Sequence, residues 1–539
     1  MELENLNIPA INQFASLYIS QKEPVTSFFH YNINRPDVFE RRLEDLTFRD
    51  FPREELTECI ASYMNGLPKG DKVEESLHKL RGGAVTVVAG QQAGLLTGPL
   101  YTIHKIISII KLARQQEEAL NHPVVPVFWI AGEDHDYQEV NHIFLENNGR
   151  MEKIGYPERV IEKKMTSDIP FDKAVMKGWI NDILQTLGET EHTNDLLFHL
   201  NKMVDEEDDI VRFFAHFVMH LFKDTGLLVV DSAYPPLRKL EKSRFHNLIE
   251  NSEHITNAVL QQQEEIRNHG FSTQLELTKQ AANIFVSLKD ERELLEREGT
   301  MFKAKSSGEA FSSEELLMVL EQKPEAFSNN VVTRPMMQEW LFPTLAFIGG
   351  PGEIAYWGEL KKAFEHVGLN IPPVVPRLNI TLVEREVGKK LEHLDLSLLG
   401  VLMEGVSIQR ERYWNSIKVP SLEDNIDQLE QLLKERYVSI RNSAEEIGGG
   451  LNQIIDKNLS IHLQQFEFLR NRADKALKAR HDKTFSDFTK VENSLIPNGG
   501  PQERTWNALY FLNKYGVGFI HDLLSLPMEF DGTHKAVYV

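Results

Sequence analysis

Four ionisable side chains stand directly after an apolar run in residues 127–141, which read VFWIAGEDHDYQEVN: Glu133, Asp134, His135 and Asp136. Carboxylates and an imidazole at such a place can orient an amine, take a proton from it as a general base, or bind a metal ion. A helix N-cap is the simpler explanation for Asp134 or Asp136, but a cap needs one carboxylate and no histidine. We therefore predict catalytic roles for Asp134, His135 and Asp136.

A loop with three glycines and two glutamines occupies residues 90–98, directly before a helical pattern. Backbone amides at the start of a helix suit a carboxylate or a phosphate. The loop is neither a P-loop nor a G-x-G-x-x-G motif, so it does not identify a nucleotide by itself. His104 and Lys105 lie in the helix that follows, and a surface His–Lys pair is the alternative to a site.

Two further glycine segments precede helical patterns, at 349–357 (GGPGEIAYW) and 497–507 (PNGGPQERTWN). Glycine lets a ligand approach the backbone closely, and Glu353 in the first segment is suited to pair with a substrate ammonium group. In the second segment Gly499, Gly500 and Arg504 predict a nucleotide or phosphate pocket, with a tight helix start as the alternative.

Buried strands must position these side chains. Apolar runs that end in glycine or in ionisable residues predict strands at 84–90, 124–132, 226–236 and 341–353, and an apolar face predicts a helix at 98–120. A strand, a helix and a strand in this order form a right-handed parallel crossover. Because ligands bind at the carboxyl ends of the strands in an open parallel sheet, the polar segments should meet there.

The remaining segments read as insertions and a helical arm. Residues 143–220 look polar and helical, 237–270 form one long helix, and 283–305 alternate as in a small β-meander. The predicted division is 1–142 (N-terminal helices and first part of the core), 143–220 (first insertion), 221–236 (core strand), 237–330 (second insertion), 331–385 (last part of the core), 386–497 (α-helical arm) and 498–539 (a C-terminal segment packing back on the core).

Apolar residues in the arm recur at steps of four and three, as in a coiled-coil seam. The predicted seam comprises Leu422, Ile426, Leu429, Leu433, Tyr437, Ile440, Ala444 and Ile447, then Ile455, Leu459, His462, Phe466, Leu469, Ala473 and Ala476. Gly448–Gly450 separates two helices that should form an antiparallel hairpin. Leu463, Phe468 and Leu477 fall off the seam, so we predict that a second copy of the arm covers them in a homodimer.

Composition narrows the class of protein. The chain of 539 residues has a net charge of −21, which argues against binding along a nucleic-acid backbone. Its single cysteine, Cys59, excludes internal disulfides and cysteine-rich zinc sites. No apolar run is long enough to span a membrane and the N-terminus has no signal core, so we expect a cytoplasmic protein.

Four long segments together resemble one known family. AGQQAGLLTGPLYTIHK, FWIAGEDHDYQEVNH, FIGGPGEIAYW and PNGGPQERTWN look like the corresponding segments of the bacillithiol-biosynthesis cysteine-adding enzymes of Firmicutes, and the resemblance covers essentially the whole chain. It implies an α/β protein with a Rossmann-like parallel-sheet core related to class I aminoacyl-tRNA synthetases and nucleotidylyltransferases, with connecting-peptide insertions and an α-helical coiled-coil domain. It also implies a ligase that joins cysteine to the amine of glucosaminyl-malate.

Amide formation needs an activated carboxylate, so the resemblance implies ATP or another nucleotide, acting through a cysteinyl adenylate or an acyl phosphate. Neither an H-I-G-H nor a K-M-S-K-S signature is evident. The catalytic candidates are Asp134, His135, Asp136 and His104. The substrate-binding candidates are Gln91, Gln92, Gly94, Tyr101, Lys105, Asp231, Arg334, Glu353, Tyr356, Trp357 and Arg377. The nucleotide-binding candidates are Gly98, Gly349, Gly350, Gly499, Gly500, Arg504 and Asn507. No metal is predicted.

Two other functions compete with this reading. A metal-dependent hydrolase would use Asp134, His135 and Asp136 together with His142, which lies seven residues beyond His135. A coiled-coil binding protein would keep the α/β core without its chemistry. Metal analysis of the pure protein distinguishes the hydrolase from the ligase, since a stoichiometric, tightly held transition metal would favour the hydrolase. Small anions bound at the strand ends would argue against the binding protein, and an empty, shallow cleft would favour it.

Overall fold

The structure is a computed structural model that describes residues 1–158, 164–289, 291–447 and 450–539. It divides into two compact units. The first unit comprises Met1–Leu382 and Gly500–Val539, and the second comprises Val383–Gly499. The segment predicted to form the arm, 386–497, lies inside the second unit.

The strands are short, and of the fifteen in the described residues fourteen lie in the first unit and the remaining one, at Ile380–Val383, spans its boundary with the second. In chain order they are β1 (Glu2–Leu6), β2 (Val85–Gln91), β3 (Val124–Ile130), β4 (His142–Asn147), β5 (Arg150–Gly155), β6 (Leu228–Asp231), β7 (Ala281–Leu288), β8 (Glu291–Glu298), β9 (Met301–Ala304), β10 (Ala310–Ser312), β11 (Phe327–Asn329), β12 (Thr344–Gly349), β13 (Val374–Pro376), β14 (Ile380–Val383) and β15 (His534–Tyr538).

Helices make up most of the rest. The first stretch of the chain contains α1 (Gln13–Ile19), α2 (Val38–Thr47), α3 (Arg53–Tyr63), α4 (Asp71–Arg81), α5 (Tyr101–Leu120), α6 (Tyr137–Val140), α7 (Lys173–Leu187), α8 (Thr193–Glu206), α9 (Ile210–Phe222), α10 (Pro235–Asn268), α11 (Ser313–Gln322), α12 (Thr333–Leu341), α13 (Pro351–Gly358) and α14 (Lys361–His366). The second unit contains α15 (Arg385–His393), α16 (Leu398–Glu404), α17 (Ser407–Ile417), α18 (Pro420–Ala444), α19 (Asn452–Arg480) and α20 (Asp482–Leu495). The returning segment contains α21 (Gln502–Thr505), α22 (Ala508–Tyr515) and α23 (Gly518–Ser525).

The central sheet is parallel, with the strand order β13-β12-β2-β3-β6. It confirms the four predicted core strands and adds β13, whose three residues between prolines are too short to show a pattern. Strand β3 is buried along its whole length, as the continuous apolar run indicates for a strand covered on both faces. The carboxyl ends of β2, β3 and β12 therefore lie side by side.

Helix α5 connects β2 to β3 and packs on both strands. Its predicted apolar positions Ile103, Ile106, Ile107 and Ile110 are all buried, which confirms the amphipathic reading. His104 and Lys105 are buried as well, so the first turns of the helix are enclosed all round. The alternative of a surface His–Lys pair is therefore wrong.

The first insertion differs from the prediction of a polar, helical segment. It begins with the antiparallel hairpin β4–β5, which the sequence analysis missed. It ends with α9, whose sequence IVRFFAHFVMHLF is apolar on nearly every face. A helix that is hydrophobic all round belongs in a core, and ten of its thirteen residues are buried.

The second insertion agrees with the prediction of a long helix and a small meander. Helix α10 runs for 34 residues, and β7, β8 and β9 pair antiparallel in sequence. Strands β10 and β11 extend this sheet to the order β10-β9-β8-β7-β11.

In the second unit, α18 and α19 form the predicted antiparallel hairpin. Tyr437 near the end of α18 bonds to Asn458 near the start of α19, while Arg470 reaches back to Asp427 and Glu430. Gly448 and Gly449, predicted to break the helix, lie outside the described residues.

The face along which the two helices meet corrects the predicted seam. Ile426 and Ala444 are buried and Leu433 and Tyr437 are half-buried, but the alternate seam positions Leu422, Leu429, Ile440 and Ile447 are exposed. In α19 the exposed seam positions are His462, Leu469 and Ala476, whereas Leu463 and Leu477, predicted to fall off the seam, are half-buried. The contacting residues Ile455, Leu459, Leu463 and Phe466 follow steps of four, four and three, closer to the 3.6-residue period of a helix than to a strict heptad.

Within the described parts of the chain, no helix combines the length and the apolar character that a membrane crossing requires.

Candidate functional site

A cavity of about 730 Å³ opens at the carboxyl ends of the central strands, within the first unit. It is lined by the ends of β2 and β3, the start of α13, and residues of the second insertion. The predicted site residues that line it are Gln91, Gln92, Tyr101, Lys105, Asp134, His135, Asp136, Arg334, Gly350, Glu353, Tyr356, Arg377 and Arg504.

The acidic segment after β3 forms one wall of this cavity. The Asp134 carboxylate is held by two hydrogen bonds, one from the backbone N–H of His135 (2.8 Å) and one from Nε2 of Gln92 (2.8 Å). The side chain of Asp136 is 57% exposed, and among the described residues no hydrogen bond reaches its carboxylate. Asp136 is therefore the more exposed carboxylate of this wall, with Nε2 of His135 at 4.0 Å from its Oδ1. It does not cap α6 with its side chain.

Glu133, the first acid of the segment, also lines the cavity, but its carboxylate is buried and already paired inside the protein. Its carboxylate pairs with Arg238 of α10 and accepts the backbone N–H of Asn329 (3.0 Å). Arg238 also bonds to Glu241 (2.5 Å), and burial raises the pKa of that carboxyl to about 8. The group of three buried side chains anchors the loop after β3 to the second insertion.

Lys105 lines the cavity, but all of its hydrogen-bond donors are used by groups of the protein. Its ammonium donates to the carbonyl of Gly90 (2.8 Å), to Oε1 of Gln91 (3.0 Å) and to Oε2 of Glu353 (2.6 Å). An ammonium group has three donors, so none is left for a substrate. Burial also lowers the pKa of Lys105. The prediction that Lys105 binds the substrate is therefore wrong; its ammonium instead holds Gly90, Gln91 and Glu353 together.

The carboxylate of Glu353 is likewise occupied by groups of the protein. Its carboxylate accepts Lys105 and also the backbone N–H of Gly350 (2.8 Å), which closes a capping box at the start of α13. The pairing with a substrate ammonium that the sequence suggested is replaced by a pairing with Lys105.

Arg377 is paired with Glu503 of α21, and His104 approaches the same carboxylate with Nδ1 at 3.0 Å. Burial raises the pKa of Glu503, but Arg377 and His104 outweigh that effect and hold the pKa at about 2. His104 is fully buried and does not line the cavity. The structure therefore places it behind the wall and gives it no contact with a substrate.

Arg334 and Arg504 are the arginines that turn toward the cavity. The guanidinium of Arg334 makes one side-chain hydrogen bond within the described residues, from Nη2 to Oη of Tyr356 (2.7 Å). Arg504 is exposed, and within the described part of the chain its guanidinium makes no hydrogen bond or ion pair. Both have donors available for an anionic ligand.

Several predicted residues lie outside the cavity. Gly94 and Gly98 pack against each other in the loop before α5, and Asn507 donates to the carbonyls of Leu96 (2.9 Å) and Gly98 (2.6 Å), so these three shape the loop. Four more predicted residues do not line the cavity. Trp357 stacks on Phe347, and Gly349 is buried at the end of β12. Gly499 lies in the second unit, and Gly500 lies where the chain returns to the first unit.

Asp231, at the end of β6, faces a separate cavity of about 440 Å³. Its carboxylate accepts Oγ of Ser167 (2.6 Å) and the backbone N–H of Ala233 (3.0 Å). Burial raises the pKa of Asp231 to about 7. The loop after β3 separates this group from the larger cavity.

Sequence reasoning missed the contribution of the second insertion. Phe285, Arg292, Asn329 and Asn330 all line the cavity. Arg292 stands in the strand sequence ERELLERE, where alternating charges indicate a solvated face and give no sign of a site. Only the folding of the second insertion over the strand ends brings these residues to the cavity.

The described residues do not assemble a metal site. No group of three histidine, cysteine, aspartate or glutamate side chains in that part of the chain is arranged to hold a metal ion. His142 starts β4, with its ring against Phe144, and does not line the cavity with His135. The ligand set of the hydrolase alternative is therefore not brought together.

Comparison with known proteins agrees with this geometry. Residues 1–378 match the family description "Bacillithiol biosynthesis BshC, N-terminal Rossmann-like domain", and residues 380–539 match "Bacillithiol biosynthesis BshC, C-terminal coiled-coil domain". A protein of Geobacillus sp. (strain WCH70) is 42% identical over 542 residues, and one of Bacillus licheniformis is 39% identical over 539 residues. Each comparison covers 100% of both chains, and both relatives bear the name "Putative cysteine ligase BshC".

One solved structure, titled as a "putative arginyl t-RNA synthetase" from Campylobacter jejuni, is 10% identical and covers 89% of this chain and 98% of its own, with a TM-score of 0.22, too low to bear on the fold. The two family matches and the identities above 30% over complete chains are decisive instead. The chain, with its N-terminal Rossmann-like domain and its C-terminal helical coiled-coil domain, belongs to the bacillithiol biosynthesis BshC family.

Proposed function

We propose that the protein is a cysteine ligase that joins the carboxyl group of cysteine to the amine of glucosaminyl-malate. One observation carries the proposal: a single cavity at the strand ends is lined both by the carboxylates of Asp134 and Asp136 and by two arginines with available donors, Arg334 and Arg504. An amine that also carries a dicarboxylate is the kind of substrate that such a set of charges complements. Family membership and the names of the relatives support the same reaction.

Arg334 and Arg504 are proposed to bind the malate carboxylates. Guanidinium groups can bind carboxylates through two parallel hydrogen bonds. Unlike Arg377 and Lys105, these two arginines are not paired with a carboxylate of the protein within the described residues. Arg377 then has a supporting role. It pairs with Glu503, and its guanidinium lies 5.7 Å from the centre of the Tyr101 ring.

The amine is proposed to lie beside Asp136. Attack of the amine nitrogen on the cysteine carbonyl makes the nitrogen strongly acidic, so an exposed carboxylate can take the released proton. The C–N bond forms, the bond between the carbonyl carbon and the leaving oxygen breaks, and the leaving group departs with that electron pair. Asp134, held by two hydrogen bonds, fixes the loop that carries Asp136.

ATP is the proposed source of activation. Attack of the cysteine carboxylate on the α-phosphorus of ATP would form a cysteinyl adenylate and displace pyrophosphate, whereas attack on the γ-phosphorus would form an acyl phosphate and displace ADP. Of the predicted nucleotide-binding residues, Gly350 and Arg504 line the cavity. The exposed guanidinium of Arg504 suits a phosphate as well as a carboxylate, so the two ligands would share this edge.

The decisive experiment incubates the purified protein with cysteine, glucosaminyl-malate and ATP and follows bacillithiol, AMP and ADP by mass spectrometry. The proposal expects one amide for each AMP or ADP formed, and the nucleotide product identifies the activated intermediate. Asp136→Asn should lower kcat, whereas Asp182→Asn, at an exposed position on α7, should not. Amide formation that is the same with and without ATP, or none with all three substrates present, would reject the proposal.

A further inference from the structure

The small sheet of the second insertion places a pair of apolar side chains on the cavity. Phe285 of β7 and Leu294 of β8 are directly opposite each other in the antiparallel register, so their side chains share one face of the sheet. Both line the cavity at the strand ends, and both are half-buried. Leu275 and Val331 line the same cavity. The cavity therefore has an apolar surface beside its charged groups.

The core of the protein does not account for this pair. On the opposite face of the same sheet, Ile284, Val286 and Leu295 are almost completely buried, and α10 packs against β7. An antiparallel sheet with one face on the core usually carries polar residues on its other face. The half-buried phenylalanine and leucine on that other face instead leave apolar area toward the cavity, where a ligand would cover it.

The pair lies close to the acidic segment. The centre of the Phe285 ring is 5.7 Å from the centre of the His135 ring, and Asp136, beside which the amine is proposed to lie, directly follows His135 in the chain. The side chain of an amino acid leaves from the carbon next to its carbonyl carbon. An amino acid whose carbonyl is attacked by that amine is therefore bound with its side chain near the apolar surface.

We infer that Phe285 and Leu294 bind the side chain of cysteine and select it over serine, an inference that rests on the proposed ligase function. A thiol behaves as a small apolar group, and its sulfur contacts aromatic rings favourably, often at the ring edge. The Arg292 guanidinium lies 3.7 Å from the centre of the Phe285 ring and covers one face of it, so a contact at the edge suits this ring. The hydroxyl of serine would lose its hydrogen bonds to water against the same two side chains.

The sugar of glucosaminyl-malate is the competing occupant of this surface. Its hydroxyl groups need hydrogen-bond partners, and the side chains of phenylalanine and leucine have neither donors nor acceptors. The thiol has no such requirement. The apolar surface is therefore assigned to the amino acid, and the kinetics of the two substrates separate the alternatives.

Competition between amino acids in one reaction tests the inference. The full chain is given glucosaminyl-malate and ATP with equal concentrations of cysteine and serine, or of cysteine and α-aminobutyrate, and both amides are measured by mass spectrometry. A hydroxyl without a partner should lower kcat/KM for serine by roughly 10- to 100-fold relative to cysteine. α-Aminobutyrate, which has a methyl group in place of the thiol, should be used within about 10-fold of cysteine.

Substitution of Leu294 tests the residue itself. Leu294→Asn branches at the same carbon and supplies hydrogen-bonding groups, so it should lower the preference for cysteine over serine by about 10-fold. Leu294→Met stays apolar and should keep the wild-type preference. Leu288→Asn is the matched control, because Leu288 of β7 is a half-buried leucine of the same sheet that does not line the cavity. The ratio of two amides made in one tube does not depend on the amount of folded enzyme.

The outcomes separate this inference from the proposed function. An unchanged ratio in Leu294→Asn would overturn the inference and leave the ligase reaction intact. A higher KM for glucosaminyl-malate with an unchanged ratio would assign the surface to the sugar and overturn the inference as well. A wild type that forms no amide with any of the amino acids would reject the proposed function, and the inference with it.

Discussion

At the scale of single residues, the basic side chains around the cavity are of two kinds. Some are already paired with carboxylates, and others have donors available for a ligand. Lys105 and Arg377 are neutralised by Glu353 and Glu503, whereas Arg334 is bonded to a tyrosine hydroxyl. Residue type alone does not show this difference, because all three are basic residues that line the same cavity. The distinction predicts which substitutions change substrate binding and which change the fold.

Arg334→Gln should raise the KM for glucosaminyl-malate. A hydrogen bond to a charged group contributes about 1.5–3 kcal/mol, so the expected increase is roughly 10- to 100-fold, with the KM for cysteine little changed. Steady-state kinetics with each substrate varied in turn measures it. Arg297→Gln, at a residue that does not line the cavity, is the control. An unchanged KM for glucosaminyl-malate in Arg334→Gln would show that Arg334 does not bind a malate carboxylate.

Asp231 should give the protein a measurable pH dependence of stability. Its pKa is about 7 in the folded protein and near 3.8 when the chain is unfolded, because burial disfavours the charged form. Between these values the folded state binds more protons than the unfolded state, so this group makes the free energy of unfolding fall as the pH rises from 4 to 7. Its contribution is constant above and below that window.

Asp231→Asn removes this titration while keeping the size of the side chain. Relative to wild type, the variant should gain a few kcal/mol in free energy of unfolding between pH 4 and pH 8. Urea denaturation at several pH values measures the difference. A difference that stays constant with pH would show that Asp231 ionises normally in the folded protein.

At the scale of elements, the loop between β2 and α5 depends on two glycines and one asparagine. A Cβ at Gly94 would lie 2.7 Å from Cα of Gly98, and Gly98 itself has φ +64 and ψ −154, a conformation that side chains rarely adopt. Asn507, which begins α22, ties the loop to the returning segment through two carbonyls. The loop is thus held from both sides before it reaches Gln91 and Gln92.

Gly94→Ala should therefore destabilise the protein by about 1–3 kcal/mol and reduce its activity, because the clash is with backbone that cannot turn away. Gly178→Ala is the matched control, since a Cβ at that position in α7 meets nothing within 4 Å. It should stabilise the helix by about 0.5–1 kcal/mol. Thermal unfolding of both variants compares them, and equal changes in Tm would contradict the packing argument.

At the scale of the whole molecule, the arm exposes apolar side chains that one hairpin does not cover. Leu429, Ile440, Phe468 and Leu469 are each about half exposed, from 48% to 54%. The exposure of Leu429, Ile440 and Leu469 follows from the observed face between α18 and α19, which leaves these positions of the predicted seam outside; Phe468 was predicted to lie off the seam. We predict that a second copy of the arm covers these residues in a homodimer.

Leu429→Glu combined with Ile440→Glu should convert the dimer to a monomer, because each charge would be buried without a partner in the interface. Light scattering coupled to gel filtration measures the mass. Gln428→Glu with Gln431→Glu, at exposed polar positions of α18, is the control and should leave the mass unchanged. A wild type that is already monomeric at micromolar concentration would contradict the prediction, as would a double variant that remains dimeric.

Much of the architecture was determined by the sequence alone, because it depends on local patterns. The runs before Gly90, Gly132 and Gly349 are apolar, short and terminated by glycine, which specifies buried strands with their exits at one edge. The same reasoning located the acidic segment, Gln91, Gln92 and Glu353 at the cavity. Periodicity also specified the hairpin of the arm, because helical spacing persists over many turns.

Only the tertiary structure decided which of these polar groups are available to a ligand. Lys105 and Glu353 neutralise each other across 248 positions of sequence, and Arg377 meets Glu503 across 126. Arg292 reaches His135 from an insertion whose charge pattern indicates a solvated strand. Pairings between distant residues leave no local periodicity, and the energy that makes them, burial of two opposite charges in contact, exists only once the chain has folded.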